Sequence, residues 1–302
     1  MTSKRVLVVG LPFFGTRTAE SLRGVGYDAH YLPHPGRDPA MLPQLATEIL
    51  MADVVYTIGS SVRRNSPLDL IARTGKAMLV HWVGTDVSVA LDDYRDGAVS
   101  DRVIRRGLHR ADSRWLVEEL QGLGVRAQER LLPIPVAIGS PEPLPETFRV
   151  LVYLPAEPQE DYDVKGTLEV IRALPDVQFM IVGGFRTTEQ FTNVEVVGFV
   201  HDMPAVYRRA TVLLRLMKHD GMSHSVIEAA SFARYVVWTY AIDGVLASAD
   251  AGEAAATLRE LHEQFLAGTL DPNNGGAEHM RMQYRHERVL AQICRDLDRL
   301  LT

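Results

Sequence analysis

Leu214-Arg215-Leu216-Met217-Lys218-His219-Asp220-Gly221-Met222-Ser223-His224-Ser225-Val226-Ile227-Glu228-Ala229 is the stretch that decides how this chain folds. An apolar run over residues 211–216 has the character of a buried strand. Lys218-His219-Asp220-Gly221 breaks it as a charged turn. A helix-like run begins near Ser223 and continues through Val226, Ile227 and Glu228. Asp220 lies on the turn and Glu228 inside the helix. Between them fall the unpaired N–H groups of a helix start, which favour a phosphate. An anion site flanked by two carboxylates suits a sugar joined to a diphosphate.

Working outward, the same alternation runs through the chain. Residues 5–10, 29–32, 54–58, 77–82 and 130–136 read as strands, with helices over 16–24, 40–50, 67–74, 100–110 and 114–123. Continuous apolar strands separated by helices predict a parallel sheet buried on both faces. Residues 140–147 hold Pro141, Pro143 and Pro145, which continue neither element, so they form a linker. Beyond it, strands are expected over 148–153, 178–182, 194–197, 212–216 and 235–239. Helices are expected over 166–173, 203–209, 223–233, 253–265 and 278–301. The prediction is an α/β chain of two doubly wound domains, residues 1–139 and 148–277, joined by the linker 140–147. A last helix lies within 278–302. Open α/β sheets bind ligands beyond the carboxyl ends of their strands.

Composition narrows the functional classes. The 302 residues are 46% hydrophobic and 23% charged, as in ordinary globular proteins. Residues 1–147 carry 17 Lys+Arg against 17 Asp+Glu, and residues 148–302 carry 15 against 21. The net charge of −6 argues against a general nucleic-acid binder. No apolar run reaches the roughly 18 residues of a membrane span. Met1-Thr2-Ser3-Lys4-Arg5 leads straight into a strand, so no secretion signal is expected. The single cysteine, Cys294, shares helical spacing with Leu290, Leu297 and Leu301 and reads as a core residue. One cysteine allows no intrachain disulfide, and a reducing, cytoplasmic location is expected. Arg102, Arg105, Arg106 and Arg110 recur at helical spacing. They read first as a solvated face, and second as a face for anionic lipid at a membrane surface. No metal motif is present, no Gly-x-Ser-x-Gly elbow, and no Gly-x-Gly-x-x-Gly after the first strand.

Asp220-x7-Glu228, followed by Ala229-Ala230-Ser231-Phe232-Ala233-Arg234-Tyr235-Val236-Val237-Trp238-Thr239, resembles the donor-sugar signature of the retaining family 4 glycosyltransferases of the GT-B fold. That signature is Glu-x7-Glu and a following Ala-x-Ala-x-Gly-x-x-Val-Val-x-Thr. Further segments are similar to the family's. They are His81-Trp82-Val83-Gly84-Thr85-Asp86, Ala111 to Leu120, Val164-Lys165-Gly166, Val182-Gly183-Gly184, and Gly198-Phe199 with the run to Tyr207. The resemblance implies two Rossmann-like domains facing across a cleft, with the last helix crossing back to the first.

It also implies transfer of a sugar from a nucleotide diphosphate donor to an unknown acceptor, with retention and without a metal or other cofactor. Asp220 would bind donor-sugar hydroxyls and Glu228 the ribose. Lys165 would neutralise the diphosphate and His81 would line the sugar pocket. Gly221, Met222, Ser223 and Arg215 would meet the donor, Gly183 would approach the nucleotide, and Gly198 with Phe199 would flank the base. Gly15 and Thr16 would offer N–H groups from the first domain. Asp112 or Ser113 reads as a helix cap.

The chain departs from the family pattern in four places. The first acid is Asp220, and Ala233 stands where glycine is usual. The Arg upstream of Lys165 is absent, with Glu157, Glu160, Asp161 and Asp163 there instead; Arg215 or Arg186 is the candidate replacement. The segment after Thr239 is short. Two alternatives share the architecture: a non-catalytic nucleotide-sugar binding or scaffold protein, and a nucleotide-sugar 2-epimerase.

Overall fold

The computed structural model describes residues 4–34, 39–157 and 160–302. The start of the secretion-signal reading, Met1 to Ser3, lies outside them. The chain divides into two compact units. The first holds residues 1–135, 220–222 and 286–302, and the second holds 136–219 and 223–285.

The first unit runs β1 (Arg5–Gly10), α1 (Pro12–Gly24), β2 (Asp28–Pro33), a single 3-10 turn, α2 (Leu42–Met51), β3 (Val54–Ile58), α3 (Pro67–Thr74), β4 (Ala77–Trp82), α4 (Thr85–Arg95), α5 (Asp101–Arg106), β5 (Gly107–Ala111), α6 (Arg114–Gly122) and β6 (Ala127–Glu129). Its parallel sheet has the order β2-β1-β3-β4-β5-β6. Successive side chains on a strand point to opposite faces. Leu7, Val9, Val55, Val80 and Trp82 therefore enter one core, and Val6, Val8, Tyr56, Ile58 and Leu79 enter the other. This is why the strands are apolar throughout instead of alternating.

The second core is closed by α12 (His286–Leu301), which buries Leu290, Ile293 and Leu297. Each such side chain contributes roughly 1.5–3 kcal/mol by leaving water. Cys294 packs half-buried beside them. An ion pair adds direction: Arg110 Nε and Nη2 donate to Asp296 Oδ2 and Oδ1 at 2.6 and 2.5 Å, with both residues buried.

The second unit runs β7 (Arg149–Tyr153), α7 (Val164–Ala173), β8 (Gln178–Val182), β9 (Val194–Gly198), α8 (Met203–Arg209), β10 (Val212–Arg215), α9 (His224–Ser231), β11 (Tyr235–Trp238), β12 (Leu246–Ala247), α10 (Ala251–Leu266) and α11 (Asn274–Gln283). Its parallel sheet has the order β12-β11-β10-β7-β8-β9. In both sheets the order reverses once, between β1 and β3 in the first and between β7 and β10 in the second. That reversal is the crevice where doubly wound sheets bind ligands.

Residues 136–147 lie with the second unit, without regular structure. Gly139 N–H donates to Ser231 Oγ, and Arg234 donates to the carbonyls of Glu142 and Pro143. Helix α9 ends in a Schellman motif: Ala233 N–H bonds Ala230 O, and Arg234 N–H bonds Ala229 O. Ala233 holds φ at +61°, a left-handed conformation that costs an L-residue roughly 1–2 kcal/mol. The motif is thus kept although its usual glycine is replaced.

Three sequence expectations are corrected. The helix expected over 100–110 ends at Arg106, and Gly107–Ala111 is a strand paired with β4. Arg110 is therefore buried on a strand and does not extend a basic helix face. Arg102 lies 3.6 Å from Asp69, and Arg106 donates to Gly75 O, so that face is partly spent within the fold. Residues 130–136 are irregular, and the sixth strand lies earlier, at Ala127–Glu129. The long last helix is two, interrupted at Tyr284 and Arg285.

Candidate functional site

In the second unit the sheet order reverses between β7 and β10, and the chain beyond these two strands is laced together. Asp163 N–H donates to Leu216 O at 3.2 Å, and Lys218 N–H donates to Asp161 O at 2.7 Å. Tyr162 and Met217 form an isolated β-bridge. Thr239 Oγ1, beyond β11, accepts from Met217 N–H. These bonds bring the start of α7 to the end of β10. Lys165 and Arg215 are therefore carried by neighbouring segments of that edge, with the Arg215 guanidinium 5.4 Å from the Tyr162 ring centre.

Asp163 caps α7 by accepting from Gly166 N–H at 2.9 Å. A Cβ on residue 166 would fall 2.2 Å from the Asp163 carboxylate, so the capping acid requires the glycine that follows Lys165. Lys165 extends into solvent with its side chain 88% exposed, and its nearest ion partner is Glu169 at 3.8 Å. Arg186 is exposed on the loop after β8.

Gly183 and Gly198 also come together, since Gly183 N–H donates to Gly198 O at 2.9 Å. A Cβ on residue 183 would lie 2.4 Å from Leu154 O, so only glycine lets the end of β8 pass β7 this closely. Phe199 projects 74% exposed, with the His201 ring against it.

Glu228 sits half-buried within α9. Its Oε2 accepts from Tyr207 Oη–H at 2.7 Å and its Oε1 from Ala137 N–H at 3.1 Å. Burial pushes its carboxyl above the usual range, and the two donors oppose that shift. A carboxylate has about four lone-pair positions, so capacity for a ligand hydroxyl remains. Ser223 is the N-cap of α9 with no side-chain bond to a helix N–H, its Oγ lying 2.9 Å from Ser225 Oγ.

The turn Asp220–Met222 belongs to the first unit. Trp115 Nε1–H donates to Asp220 O at 2.7 Å, and Met222 N–H donates to Asp112 Oδ1 at 3.0 Å. Asp86 lies close by, with Oδ1 accepting from Val83 N–H at 3.0 Å. The residue is partly accessible, yet its Oδ2 is enclosed without a hydrogen-bond partner. Burial raises the Asp86 carboxyl to about 6, against the pull of nearby backbone N–H groups. The Asp112 carboxyl is likewise pushed up, by burial first and then by the charges of Asp86 and Asp220.

A raised carboxyl favours the fold below its unfolded value and loses that benefit as pH rises through its folded value. Asp86→Asn removes the titration. Its stability relative to wild type is expected to grow by up to ~3 kcal/mol between pH 4 and pH 8. Paired denaturation curves across that range check this, and a pH-independent difference contradicts it.

Four expected site residues are placed differently. His81 is fully buried. Its Nε2–H donates to Arg130 O at 2.8 Å, and its Nδ1 accepts from Tyr56 Oη–H at 2.7 Å. Burial lowers its pKa to about 4, so it is a neutral core histidine with neither nitrogen facing a sugar. Helix α1 begins at Pro12, and Gly15 N–H already bonds Leu11 O. Gly15 and Thr16 are thus inside the helix. Gly15 serves packing, because a Cβ there would lie 2.3 Å from the Tyr31 ring. Met222 N–H is spent on Asp112.

The sequence reading missed Asp112 and Trp115 as partners of the turn, and Tyr207 as a partner of Glu228. Asp112 stands just past the carboxyl end of β5, a position that favours ligand chemistry. That signal was hidden because β5 itself read as helix.

Residues 162–270 match the family of group 1 glycosyl transferases. The fold is GT-B. It is shared over 98% of this chain and 99% of HepE from Anabaena, solved with UDP and glucose, at a TM-score of 0.68 and 14% identity. Sucrose-phosphate synthase from Thermosynechococcus elongatus matches with the same coverage, a TM-score of 0.66 and 11% identity. The apo structure of OtsA also covers 98% and 99%, with a TM-score of 0.63 and 12% identity. Likeness at these identities establishes the fold. No curated protein matches the sequence. Among the described residues, no helix is long and apolar enough to cross a membrane.

Proposed function

We propose that the protein is a glycosyltransferase that moves a sugar from a nucleoside diphosphate donor to an acceptor hydroxyl, with retention and without a metal. One observation carries the reading. Within the region that matches the group 1 glycosyl transferases, backbone hydrogen bonds join the start of α7, which carries Lys165, to the chain that follows Arg215 at the end of β10, beside the sheet reversal between β7 and β10. Two cations on that edge suit a diphosphate, and the N–H groups that open α9 add to them.

In the reaction the bond from the anomeric carbon to the diphosphate breaks as the acceptor oxygen bonds that carbon. The acceptor proton passes to the leaving phosphate. The work of the chain is then electrostatic: Lys165, Arg215 and the helix start stabilise the charge that develops on the leaving diphosphate. Asp220 orients the sugar, Glu228 accepts from the ribose, and Gly183, Gly198 and Phe199 border the base. Because HepE was solved with UDP and glucose, uridine diphosphate is the first nucleotide to test.

Lys165→Ala is expected to weaken binding of uridine diphosphate by about 1.5–3 kcal/mol, the range for a hydrogen bond to a charged group. Uridine itself should bind unchanged. Calorimetric titrations run in the presence of a chelator measure both effects. Equal diphosphate affinities for wild type and variant would leave Lys165 as a solvated surface residue. Loss of all binding on chelation would overturn the metal-free reading. Donor binding without transfer to any acceptor would favour the scaffold alternative.

A further inference from the structure

We propose that Asp112 and Trp115 are positioning residues that fix the turn carrying Asp220, and so set the direction of the acid that orients the donor sugar. The inference rests on the role of Asp220 given above. It goes beyond that role by assigning the two side chains on which the turn depends.

The geometry is local and specific. The Asp220 carbonyl belongs to the peptide plane before Gly221, and the Met222 N–H belongs to the plane after it. Trp115 Nε1–H holds the first plane at 2.7 Å, and Asp112 Oδ1 holds the second at 3.0 Å. Fixing both planes fixes φ and ψ of Gly221, the residue with the widest backbone freedom. The first plane also places the Asp220 Cα from which its side chain departs.

The close approach reinforces the clamp. A Cβ on residue 221 would lie 2.3 Å from Val83 O and 2.8 Å from both Asp112 oxygens. A Cβ on residue 84 would lie 2.8 Å from Gly221 N, so the two glycines let the backbones meet. One short segment supplies both side chains. Asp112 ends the β5 connection, where its own N–H donates to Trp82 O, and Trp115 is the second residue of α6. Asp112 is 5% exposed, which keeps water from competing for Met222 N–H. Burial and the neighbouring charges of Asp86 and Asp220 favour its protonated form. A neutral carboxyl still accepts this bond, and it spares Asp220 a second negative charge.

The test uses the full chain with Asp112→Ala, Asp112→Asn and Trp115→Phe. Hydrogen exchange at the Met222 amide reads the clamp directly. Protection should fall at least about tenfold in Asp112→Ala and persist in Asp112→Asn, which keeps an acceptor oxygen. Turnover should fall about 10- to 100-fold in Asp112→Ala, with uridine diphosphate affinity unchanged, because only the orientation of the sugar is lost. Combining Asp112→Ala with Asp220→Asn should cost no more than Asp220→Asn alone.

Trp115→Phe keeps an aromatic six-membered ring and removes the indole N–H together with its five-membered ring. It should show a smaller loss of the same kind, and it serves if Asp112→Ala does not fold. Unchanged Met222 exchange in Asp112→Ala overturns the clamp. Additive losses of turnover overturn its role in orienting Asp220. If wild-type protein transfers no sugar at all, the proposed function fails, while the exchange measurement still decides the clamp.

Discussion

Asp296→Ala is expected to destabilise the first unit by about 3–5 kcal/mol, because it strands a buried arginine. The Arg110 guanidinium makes two near-parallel bonds to the Asp296 carboxylate, at 2.6 and 2.5 Å, and a third from Nη1 to His109 O at 2.8 Å. Arg130 Nε stands 3.7 Å from the same carboxylate. The Arg110 side chain is 3% exposed, so no water replaces the lost partner. The pair joins β5 to α12, and its loss leaves the helix held by its apolar contacts and by Tyr27 Oη–H, which donates to Asp298 Oδ1. Such a loss corresponds to a fall in melting temperature on the order of 10 °C for a unit of this size.

The size of the effect is not the strength of the bond. Most of it is the desolvation of a charge left behind, which predicts a specific control. Arg110→Met combined with Asp296→Leu removes both charges and fills the space, and should recover most of the stability. Urea unfolding of wild type, single variant and double variant measures all three. A single variant as stable as wild type would show that Arg110 finds solvent, contrary to its burial.

The same pair shows where reading the sequence stops. Arg110 recurs at helical spacing after Arg102, Arg105 and Arg106, so period alone extended the helix through it. What makes it a buried strand residue is long-range: its backbone pairs with His81 on β4, and its side chain pairs with Asp296, which lies 186 positions away. The strands of the second unit were legible because each is a short apolar run bounded by polar turns, and the helices between them have their own period. His81 failed for a different reason. Its place at the end of a strand was correct, yet sequence does not say what its face meets. It meets Tyr56 and the carbonyl of Arg130, and not solvent.

The spacing of Asp220 and Glu228 was visible, but their partners were not. Asp112 lies 110 positions from Met222, and Tyr207 lies on a different helix from Glu228. Local patterns carry secondary structure, while long-range pairings decide which polar groups remain for a ligand.

Asp220→Asn and Glu228→Gln should fail in different ways, and that difference tests the donor site as a whole. Asp220 has its backbone held on both sides of Gly221, so Asn in its place keeps the turn and changes only the side chain. If that side chain orients the sugar, the variant should bind uridine diphosphate normally and transfer about 100-fold more slowly. Glu228 has one oxygen on Ala137 N–H and the other on Tyr207 Oη–H. Gln keeps one acceptor oxygen, and its amide can donate to the tyrosine oxygen, so the fold should tolerate the change.

Its ligand effect is of another kind. A ribose contact exists in the diphosphate, in the nucleotide sugar and in the transition state alike. Glu228→Gln should therefore weaken diphosphate and nucleotide sugar equally, and appear in KM more than in kcat. Calorimetry with both ligands on both variants, together with steady-state transfer, separates the two patterns. Identical behaviour of the two variants would refute the division of labour. Unchanged binding in both, with only a lower melting temperature, would mean that the carboxylates serve the fold. Asp220 would then only complete the turn under Trp115, and Glu228 would only fasten residues 136–139 to α9.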